Sequence, residues 1–246
     1  MFGGSVRRID ESILTHPLFF PLFLIYSLMK DTIIQIKKEL RANMNGIASE
    51  AMGRKSEDYR VNFGVEIPRL HNIASEFEAS NELAQQLWKE SVRECRILAS
   101  ILQPIDSFLP EVADIWVDDI RTVEIAQIVT LNLFRKLPYA SDKAFQWIAS
   151  ENEIRQQCGY LILCHLMRDG VLSERSADEF VDQACTTCLE ASSSLRKTIV
   201  KAIIVFADGG RPNALKLIKS MRTLNYDNVP ECSGVLQMLA EDYVGK

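Results

Sequence analysis

The sequence predicts an all-α protein built as an α-solenoid, a right-handed stack of helix pairs. Three observations predict it. Apolar residues recur at helical spacing throughout, no run alternates with period two between turn residues, and a helix-pair pattern returns every roughly 30–40 residues. Units of that size bury their apolar faces only against their neighbours. Residues 91–102 (SVRECRILASIL) show the design. Ser91 and Glu94 have capping-box spacing, Val92, Cys95, Leu98, Ala99 and Leu102 share one face, and Arg93, Arg96 and Ser100 share another. Variants follow at 122–134, 153–167 and 194–206, each with a second amphipathic helix behind it.

Residues 1–28 do not match this pattern. Arg7 and Arg8 precede an apolar run at 17–29 (PLFFPLFLIYSLM), which resembles the core of a secretion signal. The run is shorter than the ~20 apolar residues a membrane span needs. It also contains Pro17 and Pro21, and no small-residue cleavage site follows. Met29-Lys30-Asp31 leads directly into an amphipathic helix at 32–41. The expectation is an N-terminal extension at 1–28 and one repeat domain at 29–246, with secretion as the alternative.

Taken in order, 31–44 and 46–55 read as a helical hairpin turning at Asn45-Gly46. A polar, aromatic segment at 56–64 leads to a helix at 65–77 that tolerates Pro68 in its first turn. Asn81 is expected to cap a short helix ending at Trp88. The helix at 91–102 closes at Gln103-Pro104, and Ser107 opens one at 108–119. Next come 122–136, stopped before Leu137-Pro138, and a short helix at 141–149. Ser150 and Glu153 form a second capping-box spacing for the helix ending at Asp169-Gly170. Helices at 173–190, 194–207, 212–224 and 229–243 complete the array.

Composition is that of a soluble globular protein, with 47% hydrophobic and 25% charged residues. A net charge of −5 excludes a generally cationic nucleic-acid binder and leaves room for a local basic surface. Six cysteines are dispersed through helical segments, which suits free thiols in a reducing cytoplasm. The Cys185-x-x-Cys188 pair lies on an apolar stripe with Ala177 and Val181, without a second pair or a histidine pair to complete a metal site. His165 follows Ile154, Cys158 and Leu161 on one stripe and reads as a buried histidine. Cys164 beside it points about 100° away, so the two do not form a nucleophile pair. Asp118-Asp119 and the Glu111/Asp114 pair read as solvated charge. No glycine-rich phosphate loop occurs, and neither a metal nor a cofactor is expected. Arg93 and Arg96, then Arg155, then Arg196, Lys197 and Lys201 occupy related places in successive units. They are either a ladder along a phosphate backbone or a solvated face.

Three stretches carry a family resemblance. Residues 63–74 (FGVEIPRLHNIA), 87–102 (LWKESVRECRILASIL) and the Lys201-Ala202-Ile203 helix resemble the HEAT-like-repeat DNA glycosylases of the DNA alkylation repair family, which excise alkylated purines. The resemblance implies a superhelix of HEAT-like helical repeats (ARM-repeat type) that holds duplex DNA, including alkylated DNA, on its concave face. Arg93, Arg96, Arg155, Lys197 and Lys201 are then the expected backbone contacts. That family places a Trp…Asp pair, an Arg and a further Trp around the lesion. Here those positions fall near Val123, Ala126, Gln157 and Val205. Glu124 is what remains as a catalytic carboxylate, and Arg155 as the cation steadying the lesion strand. The resemblance thus implies a DNA binder whose glycosylase activity is open, and a monomer is expected. The alternatives are a non-catalytic DNA-binding relative, or a non-catalytic scaffold whose groove takes a protein or peptide partner.

Overall fold

The computed structural model describes residues 19–53 and 61–244, with side chains from Met29 onward except Glu174 and Glu231. The expectations for Arg7, Arg8, Pro17 and residues 54–60 lie outside the described residues. Among those described there are thirteen α-helices, three 3-10 turns and one isolated parallel bridge between Val61 and Val92. The chain divides into two compact units, Met1–Leu102 and Gln103–Lys246.

The first unit contains α1 (Phe19–Ala42), α2 (Gly46–Gly53), α3 (Ile67–Ala74), α4 (Asn81–Trp88) and α5 (Arg93–Leu102). Helix α1 passes unbroken through residue 29, so it begins well before the start expected at 32. No helix among the described residues is long and apolar enough to cross a membrane. Pro68 stands in the first turn of α3, where its missing N–H costs nothing. Ser80 rather than Asn81 caps α4, its side chain accepting the Leu83 N–H.

Helix α5 packs against α3 and α4 and is buried on nearly every side, including the face that carries Arg93 and Ser100. The expected capping box is absent. Instead, the Glu94 carboxylate reaches back thirty residues and accepts the backbone N–H groups of Phe63 (3.1 Å), Gly64 (3.0 Å) and Val65 (3.3 Å). Arg93 donates to the same carboxylate at 3.1 Å and to the Val65 carbonyl at 3.3 Å. Gly64 makes this clasp geometrically feasible. Its φ is +68°, and a Cβ there would run into the Asn45 carbonyl. Arg93 is only 2% exposed, so it is a structural partner of Glu94 and not a phosphate contact.

The second unit contains α6 (Pro110–Asp119), α7 (Val123–Asn132), α8 (Ala140–Ile148), α9 (Glu153–Arg168), α10 (Glu174–Glu190), α11 (Ser193–Asp208), α12 (Arg211–Thr223) and α13 (Pro230–Tyr243). Consecutive helices pair as α8/α9, α10/α11 and α12/α13. The pairs also stack on one another, with α9 lying against both α7 and α11, and α10 against α12. Helix α8 meets α9 closely because Gly159 has no Cβ to strike the Ala144 carbonyl and Ile148. Phe108, Trp116, Phe134 and Trp147 form a continuous aromatic core beneath this contact.

Side chains at the expected places start α7 and α10, namely Thr122 and Ser173, while α11 is capped by Ser192, two residues before the expected Ser194. The second capping box is replaced. Asn152 caps α9 by accepting the Ile154 and Arg155 N–H groups, while Ser150 turns back to the Trp147 carbonyl. Glu153 accepts the Ser192 hydroxyl at 2.7 Å and so joins the start of α9 to the start of α11.

Candidate nucleic-acid interface

Helix α9 has two chemically different ends. Near its N-terminus the Asn152 cap fixes the first turn and so sets the direction of Arg155. The Arg155 guanidinium clasps Asp118 through two bonds of 2.6 Å. This pairing holds the Asp118 carboxyl below the usual carboxylate range and raises the guanidinium above its own. Asp114, one turn earlier on α6, lies 3.9 Å from Arg155 and accepts both Lys143 Nζ (2.5 Å) and Trp147 Nε1 (2.7 Å). Asp118 keeps the solvent exposure expected of it, but Asp114 is largely covered, and both carboxylates tie α6 to its neighbours, Asp114 to α8 and Asp118 to α9. The same finding corrects Arg155, whose charge faces two carboxylates rather than open solvent. Glu124, the expected catalytic carboxylate, stands half-buried in the first turn of α7.

The positions assigned by resemblance to lesion chemistry are filled with neutral groups. Ala126 is fully buried, and Val123 and Val205 are half-buried. The fully buried Gln157 accepts the Thr198 hydroxyl at 2.6 Å and donates to Ser194 at 3.2 Å, locking α9 to α11.

The C-terminal end of α9 is basic. His165 and Arg168 lie in its last turn. Lys197 and Lys201, one turn apart on α11, are both exposed. Arg135 arrives from the 3-10 turn Phe134–Lys136 that follows α7. Burial lowers the pKa of His165 first, and the charges of Arg135, Arg168 and Lys201 lower it further against the pull of Asp169. Asp169 is itself 3.6 Å from Arg135. The stacking of α7, α9 and α11 thus gathers four basic side chains contributed by three elements. Sequence reasoning singled out only Lys201 among them as a contact. Arg135 and Arg168 sit outside the repeated helix-start pattern that marked the ladder, and His165 was read only as a core residue.

The remaining candidates are spent on structure. Arg196 donates to the carbonyls of Cys188 (2.9 Å) and Leu189 (3.2 Å), closing the C-terminal end of α10. Arg96, in the first unit, places its guanidinium 5.3 Å from the centre of the Trp88 ring. Cys185 and Cys188 are fully buried, with Cys188 Sγ 3.9 Å from Cys232 Sγ. Burial pushes these two thiols up to about 11 and about 12. Among the described residues no cluster of three or more His, Cys, Asp or Glu side chains is placed to hold a metal ion.

A family model described as DNA alkylation repair enzyme matches residues 36–205, more than two thirds of the chain. The chain belongs to the DNA alkylation repair enzyme family. A solved structure, from a family described as related to the HEAT-like repeat DNA glycosylases and having affinity for branched DNA structures, superposes with a TM-score of 0.69. The two chains are 19% identical, and the match covers 87% of this one and 95% of the other. No curated protein sequence matches. The likeness shows the fold of this family member to be an all-α array of HEAT-like repeats, in agreement with the periodicity of its sequence.

Proposed function

We propose that this DNA alkylation repair family member binds DNA by its phosphate backbone and does not excise bases. One observation supports the reading: Arg168 in the last turn of α9, Arg135 at 3.6 Å from the adjoining Asp169 and Lys201 on the packed helix α11 make the end of α9 basic, while the positions that resemble the family's lesion pocket hold no carboxylate. The surface formed by α9 and α11, extended by Lys197, is the contact face. Each phosphate neutralised there releases condensed counterions, and that release supplies most of the affinity.

Excision needs a group that stabilises positive charge developing on the sugar as the glycosidic bond breaks. Ala126 offers none, and the Gln157 amide is already bonded to Thr198 and Ser194. The affinity of the fold neighbour's family for branched DNA supports a junction, in which several backbones meet, as the form to test beside a plain duplex. A second reading, a scaffold for a protein or peptide, is favoured by the net charge of −5.

The test is fluorescence anisotropy with a labelled duplex and a four-way junction across a KCl series, alongside alkali cleavage of a methylated duplex after incubation. The expected result is binding with log K falling against log salt at a slope of about −3 to −4, for four backbone contacts, without abasic sites. Accumulating abasic sites would make the protein an enzyme. Negligible affinity at low salt would transfer the case to the scaffold.

A further inference from the structure

We propose that His165 joins Arg135, Arg168 and Lys201 as a fourth cation when a DNA phosphate docks among them, so that binding takes up a proton and tightens as pH falls. The inference rests on the DNA-binding reading and adds a proton linkage to it.

The geometry supplies the argument. His165 lies one turn before the end of α9, half-buried, where the carbonyl end of the helix favours a cation. Arg168 and the C-cap Asp169 follow His165 within one turn of its own helix, Arg135 from the turn after α7 reaches Asp169 at 3.6 Å, and Lys201 on the adjoining α11 adds a further like charge. Asp169 is the one opposing charge among these, and Arg135 at 3.6 Å already offsets part of it. Unliganded, the site therefore holds a neutral imidazole among cations that repel its second proton. A phosphate seated on those cations reverses the local field. An anion within about 4–6 Å favours the protonated ring, whose N–H then donates a charge-assisted bond.

The direction of the linkage follows. In the free protein His165 titrates below its ordinary value of 6.5, and in the complex it titrates higher. Affinity is greatest below the free-state value and is lost as pH rises through the complex-state value. Each unit separating the two values is worth about tenfold in affinity.

The experiment uses the full chain and the labelled duplex at constant ionic strength from pH 5.5 to 8.5. Calorimetry in two buffers of different ionisation enthalpy counts protons. The expected result is an affinity about tenfold higher at the acid end, with a net uptake that peaks at about half a proton midway between the two values. His165→Gln should flatten the pH profile and keep at every pH the salt slope the parent shows at pH 8.5, and His71→Gln, on the exposed face of α3, should leave the parent's profile and slopes unchanged. Circular dichroism establishes that each variant is folded. Should His165→Gln unfold, His165→Arg serves instead and should bind at pH 8.5 as the parent does at pH 5.5. Salt-dependent binding with no proton uptake, or a pH profile identical in the folded His165 variant, overturns the linkage and leaves the DNA reading standing. Failure to bind DNA at every pH overturns both.

Discussion

At the scale of single residues the most consequential group is Glu94. Its carboxylate satisfies three consecutive backbone N–H donors and the buried Arg93 at once, all inside the first unit. A buried charge is tolerable only when its lone pairs are filled in this way. Replacing Glu94 by Gln removes the charge opposite Arg93 and turns an amide N–H₂ toward donors that need an acceptor. The expected loss is about 3–5 kcal/mol, read by urea denaturation, with a matching fall in melting temperature. A loss below about 1 kcal/mol, the usual worth of an exposed pair, would show that the clasp is not holding the unit together. The spacing from Ser91 to Glu94 is visible in the sequence, and the partner is not. A glutamate three residues after a serine fits either a local cap or a tie to a remote loop. Only the left-handed turn at Gly64 brings the loop within reach.

At the scale of elements, helices were readable and their neighbours were not. Starts and stops fall within a few residues of expectation for most helices because caps and proline positions are local chemistry, as at Thr122, Ser173 and Ser192. Helix α1 is the large exception. The sequence pattern starts a helix at 32, whereas the helix runs from Phe19 and includes Pro21. The candidate site was legible at Lys197 and Lys201, because exposed lysines one turn apart declare themselves on a helical wheel. It was misread at Arg155, whose partners Asp114 and Asp118 belong to α6, about forty residues earlier. Periodicity gives a helix its buried face but does not say which helix it will meet. The correction makes a prediction. Arg155→Gln should leave DNA affinity and its salt slope unchanged while costing at most about 1 kcal/mol of stability, since Asp118 is half exposed. The pH dependence has a definite sign. Asp118 has its carboxyl lowered by Arg155, so the pair contributes stability above the ordinary value of 3.8 and loses it as pH falls through the lowered one. An Arg155→Gln variant that bound DNA several-fold more weakly would return this residue to the interface.

At the scale of the whole molecule, a net charge of −5 and DNA binding are compatible only if a few cations dominate the local field. With a screening length of about 8–10 Å at physiological salt, carboxylates elsewhere on the surface contribute little at the basic end of α9. Lys197 and Lys201 separate this view from one in which any lysine would serve. Both are exposed on α11, and each phosphate contact adds about −0.9 to the slope of log K against log salt. Lys197→Gln with Lys201→Gln should therefore make the slope shallower by about 1.8 and weaken binding at 50 mM salt much more than at 200 mM salt. Lys216→Gln carries the same change in net charge for one site, but Lys216 is bonded to Asp178 at 2.7 Å between α12 and α10. It should leave the slope where it is. Equal effects from Lys216 and from the α11 lysines would mean that net charge alone governs the affinity. The assignment of a discrete interface to α9 and α11 would then fall, whatever the protein's affinity for DNA.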